Sequence, residues 1–406
     1  MRIVVIGGGA AGFFAAISAR AHHPGATVTL LERSDKLLAK VRVSGGGRCN
    51  VTHACDTKKE LARHYPRGER FLRKAFEQFT VKDTIGWFAE RGVVLKTEAD
   101  GRMFPVSDSS ETIIEALLGE SERLGVKVMQ HAPVKKLQRT EDRWMVHTEE
   151  EVLPVEQVII ATGGSPKLEG LQWLADLGHR IVPPVPSLFT FNLPNEPLRE
   201  LMGVVADPVL VRIAGTKLES TGPLLVTHWG FSGPAVLRLS AWGARELQAA
   251  NYTFTVNVNW TGGRNEELIR SELQALRTDQ AKRKLKNAIP FLLPARIWEF
   301  LLRKVQMDPE LACEHLGRKE LNRLVNALTN DAYQASGKTT FKEEFVTAGG
   351  VSLEDVEPRT MQSRIAPGLY FAGEVLDIDG ITGGFNFQAA WTTGWIAGKL
   401  DSLTGS

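Results

Sequence analysis

The sequence has little cysteine and no long apolar run. Its three cysteines, Cys49, Cys55 and Cys313, match the spacing of neither a zinc site nor a C-x-x-C redox pair. We therefore expect a cytoplasmic protein in a reducing environment, without a metal site. No apolar stretch approaches the roughly 20 residues that a membrane span needs, and the glycines at 7–9 interrupt the apolar N-terminus that would otherwise resemble a signal peptide. We expect no membrane association.

Charge of one sign is also lacking, because 49 Lys and Arg residues face 47 Asp and Glu residues, a net of +2. This total does not indicate a nucleic-acid-binding protein. The distribution is less even: residues 259–330 carry 13 basic and 9 acidic side chains, a net of +4, which leaves −2 for the rest of the chain. The segment KRKLK at 282–286 lies there. It is either a solvated helix face or a surface that faces phosphate groups.

The N-terminus carries a dinucleotide-binding signature, in which a β-branched apolar run leads into a glycine turn and then a stretch without helix breakers. Gly7 permits the tight turn, Gly9 lets the backbone approach a pyrophosphate at the helix N-terminus, and Gly12 lets helix and strand pack closely. A second apolar run, 26–31, ends at Glu32, twenty residues after Gly12. A carboxylate at that distance can bind a ribose diol, so the pattern predicts a dinucleotide site.

The C-terminus indicates which dinucleotide is bound. The predicted strand 368–372 is followed by Glu374, and Gly383 and Gly384 then precede a predicted helix. Ligands of doubly wound sheets lie at the carboxyl ends of the strands. A third predicted strand, 155–161, ends in the turn formed by Ala161, Thr162 and Gly163. Predicted contacts from both ends of the chain indicate a large, extended nucleotide, which favours FAD over NAD(P). No second GxGxxG motif is present, so NAD(P)H is expected at most as a transient electron donor.

Six motifs, the glycine turn among them, make a family resemblance specific. They are GGGAAG at 7–12, SGGGRCNVT at 44–52, GRMFP at 101–105, THWGFSGP at 227–234, TAGGV at 347–351 and FAGEVLDIDG at 371–380. In this order they resemble the BaiN/RdsA-type family of NAD(P)/FAD-dependent oxidoreductases over essentially the whole chain. The resemblance implies an α/β fold: a Rossmann-type, glutathione-reductase-like FAD-binding domain, interrupted by a β-rich insert and a small helical cap. It also implies reduction of carbon–carbon double bonds, in steroid-like molecules or in a uridine of ribosomal RNA.

The middle of the chain defines the expected domain boundaries. Short β-branched runs separated by Pro and Gly predict a β-rich insert. From 266 to 328 the apolar spacing is helical, including Leu285, Ile289 and Leu292. We expect the N-terminal part of the FAD domain at 1–188, the β-rich insert at 189–258, the helical cap at 259–330, a return through the insert at 331–345, and the C-terminal part of the FAD domain at 346–406.

The expected cofactor contacts extend beyond the glycine turn and the acids named above. They include Ala11, Arg33, Lys40, Ser44, Gly45, Gly46, Arg48, Asn50, Val134, Gly373, Phe385 and Asn386. Arg48 is expected to hold the flavin or a substrate anion because a guanidinium stays charged.

Two residues are candidate catalytic groups. The Cys49 thiol is protonated at neutral pH and could donate a proton to the substrate, although a small buried packing residue is at least as compatible with the pattern. His228 is the other candidate, with a structural role as its alternative.

Two other functions remain open beside a reductase of small molecules. One is a flavin-dependent enzyme that forms dihydrouridine in ribosomal RNA. The other is a non-catalytic flavin protein for electron transfer or sensing.

Overall fold

The structure, a computed structural model, describes residues 1–339 and 346–401. Contacts between residues divide the chain into two compact units. The first unit is Met1–Ser187 with Lys342–Ser406, and the second unit is Leu188–Phe341. Residues 340–345 of the expected return segment and residues 402–406 of the expected C-terminal part lie outside the described residues.

The strands come from all parts of the chain. They are β1 Arg2–Ile6, β2 Thr27–Leu31, β3 Thr52–His53, β4 Leu95–Thr97, β5 Arg102–Pro105, β6 Lys127–Met129, β7 Lys136–Arg139, β8 Trp144–His147, β9 Val152–Val155, β10 Gln157–Ile160, β11 Ile181–Ser187, β12 Thr190–Asn192, β13 Val205–Ile213, β14 Glu219–Val226, β15 Gly230–Ser232, β16 Thr253–Asn259, β17 Asp331–Ser336, β18 Lys338–Thr339, β19 Val346–Val351 and β20 Leu369–Phe371.

The α-helices of the described residues lie between or after these strands. They are α1 Ala10–His22, α2 Ala39–Gly47, α3 Lys58–Ala62, α4 Glu69–Ala75, α5 Val81–Ala89, α6 Ser110–Arg123, α7 Gln172–Ala175, α8 Pro234–Trp242, α9 Ala244–Ala249, α10 Glu266–Asp279, α11 Ala295–Lys304, α12 Arg318–Thr329 and α13 Phe385–Lys399. None of the described helices combines the length and the apolar composition needed to cross a bilayer.

A parallel five-stranded sheet with the order β20-β10-β1-β2-β6 organises the first unit. Its central strands are almost wholly apolar and buried, as expected for a parallel sheet covered on both faces. Helix α13 packs closely against α1, because a Cβ on Gly398 would lie only 2.5 Å from the Ala15 carbonyl oxygen. Both ends of the chain therefore build one α/β layer, and the predicted fold class is confirmed. Smaller sheets, β3-β5-β4, β7-β8-β9 and β11-β19, complete this unit.

The second unit combines an antiparallel seven-stranded sheet, in the order β17-β16-β13-β14-β15-β12-β18, with helices α8–α12. Sheet and helices share a single hydrophobic core, to which the sheet contributes Phe231 and the helices contribute Trp298. The Trp298 indole Nε1 donates to the Leu285 carbonyl oxygen at 2.7 Å. The boundary expected at 258/259 therefore falls within one unit.

The helical periodicity of residues 285–293 is misleading. Only the short 3₁₀ turn Leu285–Asn287 forms there, and the next α-helix begins at Ala295. Pro290 and Pro294 lack the N–H that an α-helix needs, and Leu292 has a φ of 57° and is 94% exposed. The prediction of a helix across this segment was wrong because the two prolines interrupt a segment whose apolar spacing is helical.

Candidate functional site

The predicted glycine turn lies between β1 and α1. Gly7 has a φ of 113°, and a Cβ there would lie 2.4 Å from the Ala161 carbonyl oxygen. A Cβ on Gly12 would lie 1.8 Å from the Gly7 oxygen, so neither position accepts a side chain. No side chain caps α1 at Gly9, and a Cβ on Gly9 would meet no atom within 4 Å. This helix N-terminus therefore faces open space and suits a pyrophosphate.

Glu32 lies directly after β2 and orders the glycine turn. Its Oε2 accepts from the Gly8 backbone N at 2.8 Å, while Oε1 accepts from the N and Oγ of Ser34 at 3.0 and 2.8 Å. The Glu32 carbonyl oxygen accepts from the Ala132 N at 2.9 Å, which joins the two segments that contain the predicted contacts Arg33 and Val134. The carboxylate is held at the edge of the sheet where a ribose diol can bind.

Glu374 lies after β20, on the other side of the glycine turn. Its Oε2 accepts from Lys40 Nζ at 2.7 Å, and its Oε1 accepts from the Thr347 backbone N at 2.8 Å. A Cβ on Gly164 would lie 2.7 Å from Thr347 Oγ1, so these groups are tightly clustered. Thr347 Oγ1 is buried and has no hydrogen-bond partner among the described residues. Such an atom can be satisfied by a ligand hydroxyl or oxygen, and sequence reasoning missed it.

The SGGGRCN segment contacts the start of α13. Within α2 the backbone leaves the helical conformation at Ser44, and Gly45 and Gly46 adopt φ values of 59° and 69°. The Asn50 amide lies between two backbone groups: its N donates to the Thr52 oxygen and its O accepts from the Gly384 N, each at 3.1 Å. Two glycine-rich segments that are distant in sequence therefore meet here, as the cofactor prediction requires.

Cys49 lies in this segment with a φ of 59° and a fully buried side chain. Burial raises the pKa of its thiol to about 12, although a hydrogen bond with Ser44 acts in the opposite direction. The thiol is thus a weaker acid than an exposed cysteine, and it fills space in the core. Its role as a proton donor stays a prediction.

Arg48 is engaged within the protein. Its Nη1 donates to Glu98 Oε1 at 2.7 Å and lies 3.5 Å from Asp108. Its guanidinium carbon lies 4.0 Å from the centre of the Phe104 ring. The hydrogen bond to Glu98 is the main cause that raises the pKa of Arg48. Neighbouring carboxylates therefore balance the positive charge of the Arg48 guanidinium. The expected contact of Arg48 with the flavin or a substrate anion stays a prediction.

The predicted contacts Phe385 and Asn386 support the turn before α13. The Phe385 ring is buried and stacks on the imidazoles of both His53 and His64, at centroid distances of 4.6 and 4.3 Å. The Asn386 amide is bonded to Gly380, accepting from its N at 2.8 Å and donating to its O at 3.0 Å. These contacts order the loop, while the N-terminus of α13 has no side-chain cap. Sequence reasoning missed the stacked histidines because they are eleven residues apart and belong to no motif.

One further group of side chains lies near this stack. Ligand atoms of Cys55, Glu60 and His64 lie within 4.8 Å of one another, the one such group in the part of the chain that the structure describes. Burial, and then the charge of Glu60, raise the pKa of Cys55 to about 12. A metal would have to displace the thiol proton. No sequence motif indicates this group.

His228 belongs to the second unit, in the exposed loop between β14 and β15. Its ring lies 4.1 Å from that of Trp229, and its carbonyl oxygen accepts from Arg199 Nε at 2.7 Å. A catalytic role of His228 stays a prediction.

Comparisons with known proteins identify the family of this chain. The model of the family described as "HI0933-like protein Rossmann domain" matches residues 1–400. The chain is 31% identical to a ribosomal RNA dihydrouridine synthase of Escherichia coli, over 97% of this chain and 96% of that protein. It is 29% identical to a 3-dehydro-bile acid delta(4,6)-reductase of Clostridium scindens, over 98% of each.

Among solved structures, a 3-ketosteroid-delta4-(5alpha)-dehydrogenase from Rhodococcus jostii is similar with a TM-score of 0.51 and 14% identity, covering 98% of this chain and 96% of that one. This likeness shows the fold. The site and the comparisons together make the protein an FAD-dependent oxidoreductase. The chain belongs to the HI0933-like family.

Proposed function

We propose that this protein reduces an activated carbon–carbon double bond, adding a hydride to one carbon and a proton to the other. Bound FAD, once reduced, supplies the hydride. One observation carries the cofactor part of the proposal. The acids Glu32 and Glu374 and two uncapped helix N-termini lie after β1, β2 and β20. The Thr347 hydroxyl, which has no hydrogen-bond partner among the described residues, lies in a segment that is hydrogen-bonded to Glu374. That arrangement suits an extended dinucleotide rather than a small ligand.

The residues of the first unit divide the work of holding FAD. Glu32 would bind the ribose of the adenosine half, and the N-terminus of α1 at Gly9 would bind the pyrophosphate. Glu374 and the Thr347 hydroxyl would bind the polyol that follows. The uncapped N-terminus of α13 at Gly384, positioned by Asn50, would stabilise negative charge at the ring.

The electron donor and the proton donor are further parts of this proposal. NAD(P)H is the electron donor in this proposal. It binds only transiently, because the chain has no second GxGxxG motif to retain it. The proton comes from Cys49, from His228 or from solvent. Burial raises the pKa of the Cys49 thiol to about 12, so that thiol is a weaker acid than an exposed cysteine.

Anaerobic stopped-flow absorbance tests the reductase. The FAD-loaded protein is reduced with NADPH or, if that fails, with light and a sacrificial donor, and is then mixed with a steroid 4-en-3-one. The yellow colour of oxidised flavin should return with the enone and not with the matched saturated ketone. The similarity to a bile acid reductase supports this choice of substrate. Reduced protein that is reoxidised neither by the enone nor by a uridine-containing RNA would refute the proposal.

A second candidate substrate is a uridine in ribosomal RNA, whose C5=C6 bond would be reduced to dihydrouridine. Positive charge in the second unit favours it, since residues 259–330 carry a net charge of +4. The similarity to a ribosomal RNA dihydrouridine synthase supports it further. Comparing dihydrouridine in ribosomal RNA from cells with and without the gene tests this candidate, and equal amounts in both would reject it.

A further inference from the structure

We propose that a cleft between α10 and α12 binds phosphate groups of the RNA substrate, an inference that rests on the second candidate above. The cleft has a volume of about 580 Å³. It is lined by Arg270, Gln274, Arg277, Arg318, Leu321 and Asn322. Three guanidinium groups thus share one surface with two side-chain amides, all of which can donate hydrogen bonds to phosphate oxygens.

On each of the two helices, the lining side chains form a row along one face. On α10 the lining residues are spaced by four and three positions, and on α12 by three and one, so each set shares a helix face. Arg270 Nη1 donates to Asn322 Oδ1 at 2.5 Å, which joins the two rows. Arg277 lies seven residues beyond Arg270, a distance of about 10 Å along the helix. The row is long enough for more than one phosphate group.

Two acidic side chains of these helices are paired with arginines that do not line the cleft. Glu272 on α10 pairs with Arg264 at 2.9 Å. Glu320 on α12 pairs with Arg323 at 3.2 Å.

The cleft arginines are left without such pairs. Within residues 1–339 and 346–401, neither Arg277 nor Arg318 has a carboxylate partner, and Arg270 is bonded to an amide rather than to an acid. The positive charge of the cleft is therefore available to an external anion. Guanidinium groups are well suited to phosphate because they can donate two parallel hydrogen bonds.

The basic segment at 282–286 differs in this respect. Lys284 Nζ lies 2.8 Å from Glu310 Oε2, and Lys286 contacts Oε1 of the same carboxylate. Their hydrogen bonds lower the pKa of Glu310 to about 2. The Glu310 carboxylate is thus paired with two of the four basic residues in that segment. We assign the phosphate-binding surface to the arginine cleft, and the segment 282–286 supplies the control.

Salt-dependent RNA binding tests the assignment. The probe is a fluorescein-labelled RNA stem-loop with unpaired uridines, and its affinity is measured by anisotropy at several salt concentrations. The triple variant R270A/R277A/R318A should lower the log–log salt slope by about 2–3, since each lost phosphate contact removes about 0.7–0.9. The charge-conserving variant R270K/R277K/R318K should keep most of the slope. The control variant K284A/K286A should bind like the wild type. FAD content, read from absorbance, should be equal in all of them and reports on folding.

Three results would overturn the assignment. The first is a wild-type protein that does not bind the RNA even at low salt while it still reduces the steroid enone; the proposed reductase then stands without this site. The second is a triple variant with an unchanged slope. The third is a triple variant whose only defect is a raised KM for NADPH, which would assign the cleft to the phosphate of a nucleotide donor.

Discussion

Replacing Glu32 with Ala should release FAD without unfolding the protein. The carboxylate accepts hydrogen bonds from Gly8 and Ser34 and would also bind the ribose. Charge-assisted hydrogen bonds contribute roughly 1.5–3 kcal/mol each. Loss of one such bond to the cofactor raises the Kd for FAD by about 10- to 150-fold, at about tenfold for every 1.4 kcal/mol. Glu32→Gln keeps the shape and an acceptor for Gly8, so its effect should be smaller.

The assay is a titration of apoprotein with FAD, followed by the quenching of flavin fluorescence. Asp35→Asn is the matched control, because Asp35 is an exposed acid of the same loop. Thermal unfolding of the apoproteins separates cofactor binding from stability. A change of Kd below about threefold for Glu32→Ala, the size expected of an ordinary surface substitution, would refute the assignment of Glu32 to the ribose.

Three further substitutions have distinct expected outcomes. Cys49→Ala should slow flavin reoxidation by substrate by less than about tenfold because Sγ is buried, and a loss of roughly 10²–10⁴-fold would instead identify a general acid. Thr347→Val should stabilise the apoprotein by about 1–3 kcal/mol, because it removes an unsatisfied buried hydroxyl, and it should weaken FAD binding. A variant in which stability and FAD affinity both rise, or both fall, would contradict this role of Thr347. Glu120→Gln should destabilise the protein by about 1–3 kcal/mol at neutral pH, since the nearly buried Glu120 carboxylate pairs with Arg123 and Arg91. The hydrogen bond from Arg123 is the main cause that lowers the pKa of Glu120, so its contribution is complete above the unfolded pKa of about 4.3 and is lost as the pH falls through the folded pKa. In denaturant titrations, the difference between wild type and Glu120→Gln should shrink in acid, and a constant difference would contradict this origin.

The parts of the site that depend on backbone conformation could be predicted from the sequence. Gly7 and Gly12 tolerate no Cβ in the structure, and only glycine meets such a demand, so the motif carries the geometry directly. Glu32 was predictable for a related reason, since the lengths of a strand and a helix fix its distance from the turn.

Contacts between side chains distant in sequence could not be predicted. The orphaned hydroxyl of Thr347, the histidines around Phe385 and the pairing of Glu310 with two lysines all depend on tertiary packing. The charge count of residues 259–330 does not show that Lys284 and Lys286, in the longest basic run, both pair with Glu310. Ion pairing decides which charged side chains can bind an external ligand, and the amino-acid sequence alone does not show which side chains form ion pairs.

The packing of α13 on α1 has a consequence for how this protein is made. The two helices are separated by more than 360 residues, yet the close approach of Gly398 to Ala15 depends on both. Contacts of such long range form late and slow folding. Until α13 arrives, the apolar face of α1 that it covers is exposed to solvent and to other chains. The first unit is therefore expected to need chaperone protection during synthesis and to acquire FAD only after α13 has docked.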